Sequence, residues 1–167
     1  MIEDKGYVGE AASVRLYPEA IDAMASLVGN FRLALVTNQA GIARGLYSWA
    51  GFAAVQGIID AAMNARGARL DAVLACAYHA DGRSPYDVAD HPWRKPRPGM
   101  IVEALRRLNG MAACSALVGD QPSDMAAARA AGLGTAVLID RTGAANVDSV
   151  DADAVVRTLG EAVAFLT

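Results

Sequence analysis

Three short stretches of this sequence carry residue types suited to handling a phosphorylated ligand. Residues 33–45, LALVTNQAGIARG, bring an apolar run to a stop at Thr37 and Asn38. A hydroxyl, an amide and the N–H groups of a turn can together hold phosphate oxygens. Residues 115–125, SALVGDQPSDM, stop in the same way at Asp120, with Asp124 four residues on. Carboxylates of this kind suit Mg²⁺, which takes one or two of them and fills its shell with waters and phosphate oxygens. Between the two, residues 94–100, RKPRPGM, set Lys95 among Arg94, Pro96 and Pro98. The prolines restrict the loop, and a fixed ammonium beside carboxylates can neutralise a transferring phosphoryl group.

Each stretch also has a plain structural reading. Thr37 and Asn38 are common turn residues that satisfy nearby backbone groups. Arg44 lies on what reads as a flexible loop between Gly41 and Gly45, where it can fork onto a phosphate or carboxylate or stay solvated. Lys95 can belong to a basic patch leading into a helix. Asp120 and Ser123 can cap a helix whose dipole Asp124 complements, although capping does not explain an aspartate at a strand tip. The chain has thirteen arginines and only two lysines, Lys5 and Lys95, so a lysine in a motif is not routine surface charge here. Lysine is a compact point charge and no substitute for arginine.

Cys76, His79 and His91 invite a metal reading. Zinc wants four N or S ligands, usually as two close pairs, and a second pair near His91 would need Trp93, which cannot ligate. Zinc is therefore not expected, and Cys76 reads as a small buried residue at a strand end.

The elements that must position these groups alternate along the chain. Residues 1–16 read as an irregular lead-in. Pro18 opens a helix with Ile21, Met24, Leu27 and Val28 as its apolar stripe, ended by Gly29. Residues 32–36 form a strand, and residues 38–47 a loop. Ser48 caps a helix running to about Arg66, with Phe52, Val55, Ile58, Ile59 and Met63 facing inward. A strand at 72–77 precedes a long loop, 79–97, of the kind that covers a site. Pro98 starts a helix carrying Ile101, Ala104, Leu105 and Leu108. A strand at 116–118, a short helix at 122–131, strands at 135–139 and 154–156 and a helix from about Leu159 complete the series. This alternation predicts an α/β fold, a doubly wound parallel sheet with chemistry at the carboxyl ends of its strands.

Composition narrows the function. The 167 residues suit one domain, 1–167, with the loop at 79–97 as its cover. A net charge of −3 without charged blocks gives no footprint for nucleic acid or for a membrane surface. No apolar run reaches the roughly 18 residues needed to span a bilayer, and the N-terminus has no secretory h-region. Two cysteines without a framework suit a reducing cytoplasm. A small phosphorylated metabolite is the expected partner, and a monomer the expected state.

These segments resemble the haloacid dehalogenase (HAD) superfamily of phosphatases, and within it the branch of histidinol-phosphate and D,D-heptose 1,7-bisphosphate phosphatases. The resemblance runs through DKGYV at residues 4–8, PEAIDAM at 18–24, VTNQAGIARG at 36–45, CAYHADG at 76–82, RKPRPGM, and VGDQPSDMAAARAAG at 118–132. It implies that Thr37 and Asn38 bind phosphate, that Lys95 is the catalytic lysine, and that Asp120 holds Mg²⁺ with Asp124 in support. It also implies that Arg94 and Arg44 contact substrate. The implied reaction is metal-assisted hydrolysis of a small sugar phosphate through an aspartyl-phosphate. Heptose-type members often carry a zinc loop of three cysteines and one histidine. The corresponding positions here look like Cys76, Tyr78, His91 and Trp93, which implies a loop held by packing and prolines.

One departure concerns the nucleophile. The family begins with an apolar strand ending in Asp-x-Asp-Gly-Thr, and the stretch that follows that motif aligns with MIEDKGYV. The only Asp-x-Asp spacing in the sequence, Asp151 and Asp153, follows no apolar strand. The family's first strand is central, between those ending at Thr37 and Asp120, and a strand of that kind buries side chains worth on the order of 5–10 kcal/mol. Three readings follow: a longer chain that is a working phosphatase, a truncated remnant that binds phosphate or metal without turnover, and an unrelated binding domain of the same architecture. Thr37, Lys95 and Asp120 are expected to converge on one Mg²⁺-bound anion.

Overall fold

The structure, a computed structural model, describes residue 12, residues 14–145 and residues 150–167. Most of the expected lead-in and the whole of DKGYV lie outside the described residues. Two compact units divide the chain, residues 1–91 and residues 92–167. The boundary falls inside the proline-containing loop.

In the first unit, α1 (Pro18–Ser26) begins with proline at its first turn and buries Ile21 and Met24. Leu27, just past its end, is buried as well. Val28 was expected on the same stripe but is 45% exposed. The helix has already ended, so the 3.6-residue period no longer governs where Val28 points; it bridges to Phe31 instead. Strand β1 is Ala34–Asn38, two residues later than the periodicity predicts. Strand β2 (Ala72–Cys76) pairs with it in parallel, Ala34 opposite Ala72 and Asn38 opposite Cys76.

Residues 41–45 are not the flexible loop expected. Ala40–Ala43 form a four-residue helix, α2, with Gly41, Ile42 and Ala43 buried. Ile42 is the apolar anchor, and small neighbours let the turn lie close beneath it. The longer helix α3 (Trp49–Asn64) starts at Ser48, whose hydroxyl accepts from the Gly51 N–H at 3.2 Å. Val55, Ile59 and Met63 face inward as predicted, whereas Phe52 and Ile58 stay half-buried. Helix α1 packs on α3.

In the second unit, α4 (Gly99–Leu108) buries Met100, Ile101 and Ala104 and stops at Asn109 in the left-handed region. Strand β3 (Ala116–Gly119) pairs in parallel with β4 (Thr135–Ile139), and β4 with β5 (Ala154–Val156). Helix α5 (Pro122–Ala130) lies on β3 and β4. Its Met125, Ala127 and Ala128 have no exposed surface. The alanines bring the helix axis close to the sheet, and that closeness shapes the tip of β3. The last helix, α6 (Leu159–Leu166), packs on all three strands, its Thr158 hydroxyl accepting from the Glu161 N–H.

The described strands thus form two parallel ladders, β1–β2 and β3–β4–β5. Every described strand runs parallel to its neighbours, as the alternating sequence pattern requires.

Candidate functional site

At the carboxyl end of β1 the ladder extends one residue past the strand, because the Gln39 N–H donates to the Cys76 carbonyl at 2.7 Å. The Gln39 carbonyl in turn accepts from Ile42 N–H, which starts α2. Gln39 is therefore gripped from both sides. Its side-chain Nε2 donates to Thr37 Oγ1 at 2.9 Å, and the Tyr47 hydroxyl donates to its Oε1. Sequence reasoning singled out Thr37 and Asn38 and missed Gln39 and Tyr47. An amide two residues after a strand-end threonine was the available signal, and on its own it looks like any turn residue.

Arg44 follows α2 directly. Its guanidinium Nη2 lies 3.2 Å from His79 Nε2 and 3.3 Å from Asp81 Oδ2, and the Asp81 N–H donates to His79 Nδ1 at 3.0 Å. The arginine is held rather than waving. His79 and Asp81, neither of which was linked to Arg44 by sequence, are what hold it.

Beyond β2, rings line up along the loop. Tyr78 stacks on His91 with centroids 3.9 Å apart and planes 10° from parallel. Tyr86 meets Tyr78 edge-on, Trp49 meets both Tyr86 and Phe52 edge-on, and the Trp49 indole N–H donates to the Tyr86 hydroxyl at 2.8 Å. Cys76 is 1% exposed at the end of β2, as read from sequence, and its sulfur lies 3.9 Å from His91 Nδ1.

The tip of β3 has a different construction. Asp124 sits in the first turn of α5, 3% exposed. Its Oδ2 accepts from the backbone N–H groups of Asp120 and Gln121, at 3.1 and 3.0 Å. Its Oδ1, buried and without a well-angled hydrogen bond among the described residues, lies 2.6 Å from Lys95 Nζ. Both side chains are nearly enclosed, at 12% and 5% of their free exposure. Gly119 makes this possible: a Cβ there would fall 2.4 Å from Asp124 Cβ. The Asp120 carboxylate, by contrast, is exposed and has no hydrogen-bond or ion-pair partner among the described residues.

Lys95 arrives on a tightly closed loop. Arg97 N–H donates to the Arg94 carbonyl at 2.8 Å, and Gly99 N–H to the Pro92 carbonyl at 3.0 Å. A side chain at Gly99 would collide with that carbonyl, 2.4 Å from its Cβ position. Arg94 is half-buried in this loop.

The structure thus brings Lys95 together with Asp124, Asp124 with the backbone of Asp120, Thr37 with Gln39 and Tyr47, and Arg44 with His79 and Asp81. Thr37, Asn38 and Arg44 belong to the first unit, and Arg94, Lys95, Asp120 and Asp124 to the second. The Asp-x-Asp pair Asp151 and Asp153 is occupied elsewhere. Arg129 donates to both Asp153 oxygens at 3.0 Å and to Asp151 Oδ1 at 3.2 Å. Asp153 Oδ2 also accepts from Ala136 N–H at 2.7 Å. The Arg129 bond, then the Ala136 N–H, hold the Asp153 carboxyl below its usual range.

Comparison with known proteins gives a consistent picture. Residues 92–162 match a family model described as HAD-hyrolase-like. The chain is 43% identical over 138 residues to the D-glycero-beta-D-manno-heptose-1,7-bisphosphate 7-phosphatase of Mesorhizobium japonicum, covering 82% of this chain and 64% of that relative. It is 41% identical to the enzyme of the same name from Yersinia pestis, covering 84% of this chain and 74% of that one. Among solved structures, a protein of Mesorhizobium loti assigned as a HAD-like phosphatase superposes with a TM-score of 0.86 at 40% identity, over 99% of this chain and 80% of its own. The D,D-heptose 1,7-bisphosphate phosphatase of B. bronchiseptica, solved with magnesium and phosphate, gives a TM-score of 0.81 at 25% identity, over 98% of this chain and 90% of its own.

Proposed function

The chain belongs to the haloacid dehalogenase (HAD) superfamily, in the branch of the histidinol-phosphate and D,D-heptose 1,7-bisphosphate phosphatases, and from that premise we propose that it serves Mg²⁺-dependent hydrolysis of a sugar phosphate. The substrate class is a heptose 1,7-bisphosphate. Histidinol phosphate is the alternative the same branch offers.

One observation carries the proposal: the enclosed Lys95–Asp124 pair at the tip of β3, beside an Asp120 carboxylate left exposed. Mg²⁺ takes hard oxygen donors, and Asp120 offers two, so the donor set fits the ion. When bound, the ion would supply charge stabilisation for the phosphoryl oxygens. Asp124 supports it indirectly, by fixing the Asp120 backbone and the direction of Lys95. The Lys95 ammonium neutralises developing phosphoryl charge. Thr37 and Asn38 hold phosphate oxygens, and Arg44 and Arg94 contact the substrate. The protein acts in the cytoplasm as a monomer; no described helix is long and apolar enough to cross a membrane.

Residues 1–167 contain no Asp-x-Asp-Gly-Thr, and their one Asp-x-Asp pair is bound up with Arg129. We therefore expect this stretch alone to bind phosphate and Mg²⁺ without turnover. The test is Mg²⁺-dependent phosphate release from a panel including heptose 1,7-bisphosphate and histidinol phosphate. Negligible release is expected from residues 1–167, and clear release once an apolar strand ending in Asp-x-Asp-Gly-Thr precedes them. Robust release from residues 1–167, abolished by Asp120→Asn, would overturn the mechanism.

A further inference from the structure

The Gln39 side chain lies between two hydroxyls, with its amide nitrogen towards Thr37 and its amide oxygen towards Tyr47. We propose that Gln39 and Tyr47 are positioning residues that aim the Thr37 hydroxyl proton at a bound phosphate oxygen. The proposal rests on the reading of Thr37 as a phosphate contact.

A carboxamide has an acceptor at one end and two donors at the other. The Tyr47 hydroxyl donates to Oε1, which leaves Nε2 facing Thr37, and Nε2 donates to Thr37 Oγ1 at 2.9 Å. A threonine hydroxyl has a single proton. Once its oxygen accepts from Gln39, that proton is left to donate elsewhere, and Thr37 has no other side-chain hydrogen bond among the described residues. The reversed amide would draw the proton towards Gln39 and turn a lone pair to the anion. Donors in series polarise one another in one direction, so the Tyr47–Gln39–Thr37 order strengthens the last donor.

The base of the relay is firm. The Gln39 N–H is tied to the Cys76 carbonyl at 2.7 Å, and its carbonyl accepts from Ile42 N–H at 3.0 Å. Thr37 is in register with Ala75 on β2. All three residues are half-buried, so the side-chain bonds are partly shielded from competing water. Neither Gln39 nor Tyr47 needs to touch the phosphate for this role.

The test is calorimetric binding of inorganic phosphate in the presence of Mg²⁺, with circular dichroism confirming that each variant is folded. Thr37→Val should weaken binding by about tenfold to a hundredfold, the scale of a lost hydrogen bond to a charged group. Tyr47→Phe should weaken it by about threefold to tenfold, and by nothing further in the Thr37→Val background. Thr37→Ser keeps the hydroxyl and should keep the sensitivity to Tyr47→Phe. Gln39→Glu presents only acceptors to Thr37 and should weaken binding more than Tyr47→Phe does. A second readout needs no ligand: the Gln39 side-chain ¹⁵N–¹H signals should shift in both Tyr47→Phe and Thr37→Val.

Equal losses from Tyr47→Phe in both backgrounds, or Gln39 signals that neither variant moves, overturn the relay. If Thr37→Val leaves phosphate affinity unchanged while the Gln39 signals still shift, the phosphate-contact reading beneath the proposal fails, and the proposal with it.

Discussion

The tips of β1 and β3 occupy equivalent places, each at the carboxyl end of a parallel strand just before a helix, yet they are built on opposite electrostatic plans. The β1 tip is neutral. It uses a hydroxyl, an amide and a phenol, each half-buried and each linked to the next by a hydrogen bond. The β3 tip is charged. One carboxylate is enclosed against a lysine and two backbone N–H groups so that another can stand exposed. Neutral donors tolerate partial hydration and a modest penalty if one is lost. An enclosed ion pair tolerates neither, because removing one partner strands the other charge away from water.

Variants at the two tips should therefore differ in stability cost. Asp124→Ala takes the enclosed carboxylate from Lys95 and leaves two backbone donors without that acceptor, and should cost about 3–5 kcal/mol in urea-denaturation free energy. Gly119→Ala pushes a methyl into Asp124 and should cost about 1–3 kcal/mol while displacing the carboxylate. On the neutral side, Tyr47→Phe should cost about 0.5–1.5 kcal/mol. A Tyr47→Phe loss as large as that of Asp124→Ala would erase the contrast.

The smallest effect is expected at the end of β4. There the Asp140 carboxyl is held down to about 2, first by the Thr142 hydroxyl and then by the Ala145 N–H. Because the folded value is lowered from 3.8, Asp140 stabilises the fold above that range and loses its contribution as the pH falls towards about 2. Asp140→Asn should lower neutral-pH stability slightly and, having no carboxyl to titrate, flatten the loss of stability between about pH 4 and 2. The Thr142 bond is exposed, so a large effect at pH 7 would contradict its surface setting.

Much of this was legible from residue types alone. Proline at the first turn announced α1 and α5, Ser48 announced α3, and the short β-branched and apolar runs placed β4 and β5 to the residue. Periodicity failed where it had too little chain to work on. Four residues of alanine, glycine and isoleucine cannot display a helical stripe, so α2 reads as a loop; Val28 lies beyond the helix whose period was used to place it. At the site, residue types could name Thr37, Lys95, Asp120 and Asp124, and the family resemblance implied a role for each, but neither gave the geometry. That Asp124 turns inward while Asp120 stays exposed depends on Gly119 letting a helix approach within contact distance, a tertiary fact. Gln39 and Tyr47 escaped for the same reason: eight residues separate them, and only the turn through α2 brings their side chains together.

The ring sequence beyond β2 has a practical consequence. Trp49 touches the Tyr86 ring edge-on and binds its hydroxyl, so the indole shares its surroundings with the loop that follows. The chain has only one other tryptophan, Trp93. With Trp93 replaced by phenylalanine, fluorescence emission would come from Trp49 alone, giving the molecule a native optical gauge of whether that loop shifts when phosphate arrives.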